Sequence, residues 1–528
     1  MSWIAQAAMQ AAAFFYIAFA IGAGLLAVAV ATLFVLDRTQ RADAILYNYP
    51  VVGHLRYVLS HLGEFFRQYF FAMDREELPF NRAERGWVEQ ASRNGERTVA
   101  FGSTRPIREA GTPLFVNCPY PTLEKDQEPT PTLIVGPYAQ HPYEAKSIFN
   151  ISGMSFGALS APAVLALSRG ASMAGCWMNT GEGGLAPQHL EGGADIVFQI
   201  GTAKYGVRHA DGTLSEERLR AVAAHPQVKM FELKLSQGAK PGKGGILPGA
   251  KVTAEIAAIR GIEAGKDSIS PNRHPEIDSN EQLLEVIARI KRITGKPVGI
   301  KAVLGAYGWL EDLCSRINQR DIALAPDFFT LDSGDGGTGA APLALMDNVG
   351  LSIKESLPLV RDTLLKHGLN ERIPIVAAGK LITPAEVAWA LCAGASFVNS
   401  ARGFMFALGC IQSLKCNKNT CPTGITTHDP RLQKGLNPAD KAVRVANYCR
   451  NMVHDVEVIA HSCGVPHPRR LRRFHVRIMG VDGKSRPLNE LYPTADPGDG
   501  SATAARMQAL GHAASVSNDP SRPGLRAE

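Results

Sequence analysis

The chain has 528 residues, of which 45% are hydrophobic, and it carries a formal net charge of +7 at pH 7. This length accommodates a large barrel domain with additions, and the hydrophobic fraction is ordinary for a globular protein. The positive charges are dispersed apart from short Arg-rich patches such as Pro468 to Arg473, so we expect no nucleic-acid partner. Nine cysteines spread over the whole length exclude a small disulfide-stapled fold.

The N-terminal segment predicts a membrane anchor. The first 36 residues carry no charged side chain, and residues 11–36 are almost entirely apolar. About 20 apolar residues span a bilayer core, and this run is too long for a typical signal peptide. Arg38 and Arg41 follow the run, so the positive-inside rule predicts a single-pass membrane protein with a cytoplasmic catalytic domain. A buried helix or a cleaved signal is the alternative interpretation.

A repeating pattern from Phe149 onward predicts a (β/α)8 TIM barrel. Short apolar or β-branched runs end in polar or Gly-rich turns and alternate with longer helical patterns. Thr383 is a good N-cap, followed by proline at the first position of a helix that runs to Gly394. The eight predicted strands lie at Phe149–Gly153, Cys176–Thr180, Asp195–Gln199, Met230–Lys234, Pro297–Lys301, Asp327–Leu331, Pro374–Ala378 and Ser396–Ser400.

The remaining segments complete the predicted organisation. A long insertion between the fourth and fifth strands predicts an elaborated active-site segment, and Asp440 to Cys463 predicts a helix. The tail is rich in Ala, Ser, Gly, Asp and Pro, which is typical of disorder. The predicted domains are a transmembrane anchor at 1–40, a helical N-terminal extension packing on the barrel at 41–145, the barrel at 146–430, a C-terminal helical segment at 431–490 and a disordered tail at 491–528.

The ends of the predicted strands carry the residues that indicate chemistry. Active sites of such barrels lie at the C-terminal ends of the strands. Seven of these ends are polar or Gly-rich, and glycine lets a backbone approach a phosphate or a planar ring closely. Lys234, Lys240, Lys243 and, further on, Lys251 follow the fourth strand and favour an anionic substrate such as a dicarboxylate. A solvated basic loop is the alternative, although the interleaved glycine and proline would fix the shape of the loop.

Three cysteines form the one cluster in the sequence. Cys410, Cys416 and Cys421 have the spacing C-x5-C-x4-C and are followed by proline, within a loop at 409–422. Three thiolates suit a [3Fe-4S] cluster, because a usual [4Fe-4S] cluster takes four. A Cys3His zinc site with His428 is the competing interpretation. The loop follows the eighth strand, which would place the cluster near the cofactor of the barrel.

The motifs resemble those of a known family. MSFGALS at 154–160, NTGEGG at 179–184, KLSQGAKPGKGG at 234–245, GDGGTGA at 334–340 and GC-x5-C-x4-CP at 409–422 occur in this order. They resemble the FMN and iron–sulfur synthase domain of the glutamate synthase large subunit, over roughly residues 145–430. The stand-alone, membrane-anchored layout resembles the FMN-binding glutamate synthase family. The resemblance implies FMN in a (β/α)8 barrel, a [3Fe-4S] cluster, and reduction of the imine of 2-oxoglutarate and ammonia to glutamate.

The resemblance also implies roles for individual residues. Cys410, Cys416 and Cys421 would bind the cluster. The catalytic residues would be Glu182, Lys234, Gln237 and Lys240. The substrate would be held by Lys234, Gln237, Lys240, Lys243 and Arg260. FMN would be held by Met154, Ser155, Phe156, Gly157, Ala158, Gln199, Lys301, Gly336, Gly337, Gly379, Lys380 and Arg402.

The sequence departs from the family pattern in several places. No glutaminase domain with an N-terminal cysteine is expected, so glutamine hydrolysis is not predicted. Ile246 stands where the family commonly has Gln, Lys204 replaces an Arg, and Ala401-Arg402 replaces Gly-Thr. These changes leave the exact 2-oxo acid open, and the related N-methylglutamate synthase subunits suggest an alkylamine as a nitrogen donor.

The electron donor and two other functions stay open at this point. No convincing G-x-G-x-x-G pattern for a nicotinamide is present, so ferredoxin, a separate reductase or a membrane carrier would reduce the protein. A homo-oligomer is compatible with the sequence. The alternatives to a synthase are a membrane-bound electron-transfer component without synthase activity, and another FMN barrel activity such as an isomerase.

Overall fold

A computed structural model of the chain describes residues 3–40, 42–305 and 308–493. Its residue contacts divide the chain into two compact units, Met1–Ala83 and Glu84–Glu528. The predicted extension at 41–145 is thereby divided between both units. Most of the tail that was predicted to be disordered, residues 494–528, lies outside the described residues.

The first unit is helical. Its α-helices are α1 (Trp3–Thr39), α2 (Ala44–Asn48) and α3 (Gly53–Phe66), and a π-helical turn, Arg67–Phe71, continues α3. Helix α1 is long and apolar enough over Gln6–Thr39 to cross a membrane, and none of that window is buried inside the protein. At 1.5 Å per residue this stretch extends about 50 Å, which exceeds a hydrocarbon core of about 30 Å.

The second unit is built around a closed barrel of eight parallel strands, as the sequence predicts. In spatial order these are β4 to β7 followed by β10 to β13, and β13 pairs with β4 to close the barrel. Every barrel strand is buried along nearly its whole length, which explains the apolar runs in the sequence. The strands of the chain are β1 (Pro113–Phe115), β2 (Leu133–Val135), β3 (Tyr143–Ala145), β4 (Phe149–Ile151), β5 (Trp177–Asn179), β6 (Asp195–Ile200), β7 (Val228–Lys234), β8 (Ile246–Leu247), β9 (Ser268–Ile269), β10 (Val298–Val303), β11 (Phe329–Asp332), β12 (Ile375–Ala378), β13 (Phe397–Ser400), β14 (Val476–Met479) and β15 (Ser485–Pro487).

Helices follow most barrel strands and cover the outside of the barrel. Glu386 accepts hydrogen bonds from Thr383 at the start of α12, and Gly394 ends that helix in the left-handed region, as the sequence predicts. The helices are α4 (Arg82–Ser92), α5 (Ala161–Ala174), α6 (Pro187–Glu191), α7 (Glu216–Ala223), α8 (Ala254–Arg260), α9 (Asn280–Thr294), α10 (Trp309–Gln319), α11 (Ile353–Lys366), α12 (Pro384–Ala393), α13 (Arg402–Ala407), α14 (Pro430–Gln433), α15 (Pro438–Ser462) and α16 (Leu488–Leu491).

The N-terminal end of the barrel is closed by the hairpin of β2 and β3. Tyr143 packs with Trp177, at the start of β5, with ring centroids 6.4 Å apart. Beside the barrel, α15 packs against α5, where a side chain at Gly170 would meet Val445 at 2.4 Å. Asp327 ties α9 to the start of β11 because it is fully buried and ion-pairs with Lys291 at 3.0 Å. Chemistry is thereby left to the opposite, C-terminal end of the strands.

Two segments elaborate this plan. The insertion between β7 and β10 forms the antiparallel pair β8–β9 with α8 between its strands, which confirms the expected elaborated segment. The segment predicted to be helical at 431–490 contains the long helix α15 and also β14 and β15, which form a three-stranded sheet with β1.

Candidate active site

The turn after β5 and the loop after β7 bring the predicted catalytic residues together. Lys234 is the last residue of β7, and its Nζ lies 3.0 Å from Glu182 Oε1 and contacts Gln237 Oε1. Glu182 sits in the 3-10 turn Gly181–Gly183 after β5. Lys240 is buried and close enough for its charge to lower the pKa of Glu182. Two neighbouring strand ends therefore place an acid, an amide and two lysines in one group.

The electrostatics of this group favour an anion. Burial by itself raises the pKa of Glu182, but attraction to Lys234 and to two further cations outweighs it, so the carboxylate is held ionised. Burial lowers the pKa of Lys240 to about 8, with repulsion from Lys234 as the next cause and attraction to Glu182 opposing both. Around the single carboxylate of Glu182 stand three cations, so a bound carboxylate would find uncompensated positive charge.

Arg260, at the end of α8, lies beside this group and is fixed by the protein. Its Nη1 donates to Ser268 Oγ at 3.1 Å, and its Nη2 donates to Phe156 O at 3.0 Å. Its Nε is buried without a hydrogen-bond partner in the described part of the chain. The structure leaves the Lys243 side chain exposed, outside this buried group. Arg260 is thus a rigid, partly engaged cation, whereas Lys243 is not drawn into the site.

Below the group, Lys301 on β10 supplies a further buried cation. Its Nζ lies 3.3 Å from Asp332 Oδ2 at the end of β11, and that oxygen also accepts from Gly238 N at 3.1 Å. Burial lowers the pKa of Lys301, but attraction to Asp332, to Glu232 and to Glu182 prevails and the net pKa is raised. Lys301 is therefore a permanent cation, positioned between the floor of the site and the loop after β7.

A buried carboxylate in the middle of β7 organises the floor. Glu232 Oε1 accepts from Asn179 Nδ2 at 2.8 Å and from Gln199 Nε2 at 2.6 Å, and Thr330 donates to the other oxygen. Gln199, a predicted cofactor residue, is thereby held by a residue that the sequence interpretation did not select. The signal was present as a glutamate inside the apolar strand Val228–Lys234, where both faces are buried.

The turn after β4 is held by three basic side chains. Residues 156–158 present three successive carbonyl oxygens, which accept from Arg260 Nη2, His428 Nε2 and Lys251 Nζ at 3.0, 2.7 and 2.8 Å. Gly157 within it has a φ of +97° and lies so near Arg260 that a side chain would crowd the guanidinium. The predicted cofactor turn, Met154 to Ala158, therefore has a fixed backbone.

The ends of β11, β12 and β13 meet around a second set of predicted residues. A side chain at Gly337 would lie 2.8 Å from Arg402 Nε, and one at Gly379 would lie 2.3 Å from Ser333 Cβ. Lys380 Nζ pairs with Asp335 Oδ2 at 3.1 Å, and the charge of Arg402 also acts on Asp335. Gly336 approaches Gly238 of the loop after β7 in the same way. Close glycine backbones with two cations can hold a phosphate group, offset in part by the Asp335 carboxylate.

The three cysteines lie close to one another in the loop after α13. Burial raises the pKa of Cys410 to about 12, and the charges of Cys416 and Cys421 raise it further. Cys421 Sγ is 3.3 Å from Thr423 Oγ1, and Gln412 N donates to Cys410 Sγ at 3.4 Å. Donors of this kind stabilise thiolate ligands.

The geometry does not assemble a single-ion site from these residues. Within residues 3–40, 42–305 and 308–493, no group of three or more His, Cys, Asp or Glu side chains is arranged to hold one metal ion. His428, the fourth ligand of the zinc interpretation, donates its Nε2 to Gly157 O at 2.7 Å. Lys251 Nζ, which bonds Ala158 O, also donates to Cys416 O at 3.3 Å. The cysteine loop and the turn after β4 are therefore directly connected.

Two more residues beside the catalytic group escaped the sequence interpretation. Lys204 pairs with Glu276 at 3.0 Å, and His274 Nε2 donates to Lys234 O at 2.9 Å. Both Glu276 and His274 lie in the long insertion, where no hydrophobic period marks individual positions. Lys204 had been noted only because it replaces an Arg, and its partner could not be read from the chain.

Comparison with known families decides the relationship of this chain. The family model described as the conserved region in glutamate synthase matches residues 115–466. The chain belongs to the glutamate synthase family. As such it is a glutamate synthase-like oxidoreductase with a TIM barrel.

Relatives within the glutamate synthase family cover most of the chain. It is 39% identical over 502 residues to the glutamate synthase large subunit-like protein YerD of Bacillus subtilis (strain 168), covering 87% of this chain and 95% of that protein. It is 34% identical over 361 residues to an archaeal-type glutamate synthase [NADPH] of Thermotoga sp. (strain RQ2), covering 68% and 67%. Among solved structures, a mutant flavocytochrome b2 with pyruvate bound aligns with a TM-score of 0.44 at 14% identity, covering 90% of this chain and 93% of that chain.

The departures from the family pattern now have positions. Ile246 begins β8, pairs with Ile269 and is 40% exposed, so it belongs to the surface hairpin of the insertion. Lys204 is buried and occupied by Glu276. Arg402 begins α13 beside the phosphate-sized group of glycines at the ends of β11 and β12.

Proposed function

We propose that this protein reduces the imine of 2-oxoglutarate and ammonium, or an alkylamine, to an amino acid, with FMN in the barrel and a [3Fe-4S] cluster at the cysteine loop. The observation that carries the proposal is the buried group of Glu182, Lys234, Gln237 and Lys240 at the ends of β5 and β7. The reaction consumes the 2-oxo acid, ammonium, two electrons and two protons, and it releases the amino acid and water.

The cations of the group would bind and orient the two carboxylates of the substrate. Lys234 and Lys240 would each pair with substrate oxygen, while Glu182 keeps Lys234 in place. Lys240, whose pKa is lowered to about 8 by burial, can hold or release a proton near neutral pH and would serve as the acid for loss of water. The unpartnered Nε of Arg260 leaves one donor for a substrate oxygen.

The second set of residues fits a flavin mononucleotide. Gly336, Gly337 and Gly379 would admit the phosphate, and Lys380 and Arg402 would pair with it. The turn of Met154 to Ala158 would lie along the ring, with Lys301 and Gln199 as polar contacts. FMN bound there would supply the hydride for the imine carbon. The protein residues would exclude water and fix the distance between ring and substrate.

Cys410, Cys416 and Cys421 would bind the cluster, which would pass electrons to the flavin. Support comes from the closeness of the three thiols, the donors around Cys421 and the link through Lys251 to the turn after β4. The electrons would come from ferredoxin or a separate reductase, and the NADPH in the names of the archaeal-type relatives is compatible with the latter. Helix α1 would anchor the protein in the membrane as a single pass, with the barrel in the cytoplasm, and a homo-oligomer is compatible with this arrangement.

Two experiments test the proposal. Anaerobic photoreduced protein should be reoxidised, followed by flavin absorbance, on addition of 2-oxoglutarate with ammonium or methylammonium, and neither compound alone should do so. If no pair of a 2-oxo acid and an amine reoxidises the flavin, the protein is an electron-transfer component rather than a synthase.

The cluster has its own readout. Anaerobic EPR of the oxidised protein should give the paramagnetic signal of a [3Fe-4S] cluster, and cysteine-to-serine changes at Cys416 should abolish it. Bound zinc without that signal would reject the iron–sulfur assignment while leaving the reoxidation test unaffected.

A further inference from the structure

Helix α3 has an apolar face that is open to the surroundings. In a helix of 3.6 residues per turn the side chains of this face share one side, and each of them is between 42% and 64% exposed. A globular protein normally buries such a face against its core. The face consists of Leu55, Val58, Leu59, Leu62, Phe65 and Phe66.

The exposed apolar surface continues beyond the end of α3. The π-helical turn Arg67–Phe71 adds Tyr69, Phe70 and Phe71, which are all exposed, and Phe70 packs on Phe66 with ring centroids 5.6 Å apart. Nearly twenty consecutive residues thus carry one uncovered aliphatic and aromatic surface, which is larger than the scattered exposed hydrophobics of a soluble protein.

The opposite side of α3 is polar and basic. Arg56 and Ser60 lie on it and are exposed, and Arg67 extends it at the start of the π-helical turn. A helix with one apolar face rich in Leu and Phe and a polar face with arginine is typical of a segment that lies in a bilayer interface. The arginines suit anionic lipid headgroups.

The connection between α1 and α3 keeps α3 close to the end of the predicted anchor. Only residues 40–52 separate the two helices. Asp37, near the end of α1, accepts from Val51 N at 2.8 Å and pairs with His54 Nε2 at 3.0 Å. Tyr57 of α3 donates to Asp43 in the connection. The start of α3 is therefore fixed within hydrogen-bonding distance of the last turn of α1, where a spanning helix leaves the hydrocarbon.

We propose that α3 and the Arg67–Phe71 turn lie in the membrane interface, as a second membrane contact next to the spanning helix α1. The apolar face would enter the boundary between headgroups and acyl chains by about 5–10 Å. The bilayer is favoured over a protein partner because the surface is continuous in the chain with α1, whose apolar side chains are exposed in the same way. Tyr69 and its neighbours match the aromatic residues that favour the interface.

Fluorescence quenching by lipid tests the proposal on the full-length protein. The protein is reconstituted into vesicles of phosphatidylcholine and phosphatidylglycerol, with or without bromine on the acyl chains near the headgroups. Leu62→Trp places a reporter on the apolar face, and Ser60→Trp places the matched reporter on the polar face. The emission of the five native tryptophans is subtracted using the unsubstituted protein. Leu59→Trp gives a second apolar position if Leu62→Trp lowers the melting temperature.

We expect brominated lipid to quench the added emission of Leu62→Trp several-fold more than that of Ser60→Trp. Equal quenching of both reporters would overturn the proposal. Emission from Leu62→Trp that is blue-shifted but insensitive to bromine would also overturn it, because protein rather than lipid would then cover the face. Flotation with the vesicles is measured in parallel. A protein that floats without differential quenching retains the α1 anchor and rejects only the role of α3, whereas failure to float rejects both.

Discussion

Replacing Lys240 by methionine removes one of the three cations around Glu182 and keeps a side chain of similar length. A hydrogen bond to a charged group contributes about 1.5–3 kcal/mol, and about 1.4 kcal/mol corresponds to a tenfold change in affinity. We therefore expect Lys240→Met to bind 2-oxoglutarate roughly 10- to 100-fold more weakly than the unsubstituted protein at pH 7. Lys266→Met is the matched control, because Lys266 is exposed in the same insertion and pairs only with Glu263 on the surface.

The pH dependence of binding gives a second and sharper expectation. Burial lowers the pKa of Lys240 to about 8, and only its ammonium form attracts a carboxylate. The affinity of the unsubstituted protein should fall by about tenfold per pH unit above about pH 8, whereas that of Lys240→Met should stay level. Isothermal titration calorimetry from about pH 7 to about pH 10 measures both. Binding by Lys240→Met within twofold of the unsubstituted protein would refute the role of Lys240.

The same lysine should lower stability. Its folded-state pKa lies below the ordinary 10.5, so the unfolded chain binds more protons between about pH 8 and 10.5 and stability rises with pH there. Below pH 8 the full cost is present, and a gap of about 2.5 pH units at 1.36 kcal/mol each is about 3 kcal/mol. Lys240→Met should therefore melt at a higher temperature than the unsubstituted protein at pH 7, and the difference should shrink toward pH 10.

Three other changes have distinct expected results. Asp327→Asn breaks a fully buried ion-pair network and should lower the free energy of unfolding by about 3–5 kcal/mol in thermal melts, and an unchanged midpoint would contradict the packing. Gly337→Ala adds a Cβ 2.8 Å from the neighbouring guanidinium and should lower bound flavin per chain, whereas Gly339→Ala, with open space, should not. Lys251→Met removes the link between the cysteine loop and the turn after β4 and should alter the EPR signal of the cluster, while the exposed control Lys418→Met should leave that signal unchanged.

The barrel could be predicted because its signals are local and periodic. Each of the eight strands is a short apolar run that ends in a polar or Gly-rich turn, and parallel strands must bring those ends to one side. The start and end of α12 followed from Thr383 and Gly394 alone. The group of Glu182, Lys234 and Gln237 was predicted by resemblance, and its ion pair and contacts are consistent with neighbouring strand ends.

The missing parts depend on contacts between distant segments. Lys251 reaches the carbonyl of Ala158, 93 residues away, and that of Cys416, 165 residues away. Glu276 finds Lys204 across 72 residues. No hydrophobic period or spacing rule encodes such pairs, because they arise only when the barrel closes. The open face of α3 was also missed, since an amphipathic pattern predicts a buried face and cannot report that the protein leaves it uncovered.

The most direct test of the central claim is formation of the product. Dithionite-reduced or photoreduced protein is mixed anaerobically with 2-oxoglutarate and 15N-labelled ammonium, and the solution is analysed by mass spectrometry. We expect 15N-labelled glutamate in a single turnover, at about one molecule per two electrons stored on the protein, and its loss in the Lys240→Met variant. Absence of labelled amino acid with every 2-oxo acid and amine offered, from protein that holds reduced flavin, would contradict the assignment of synthase chemistry to the group at Glu182 and Lys234.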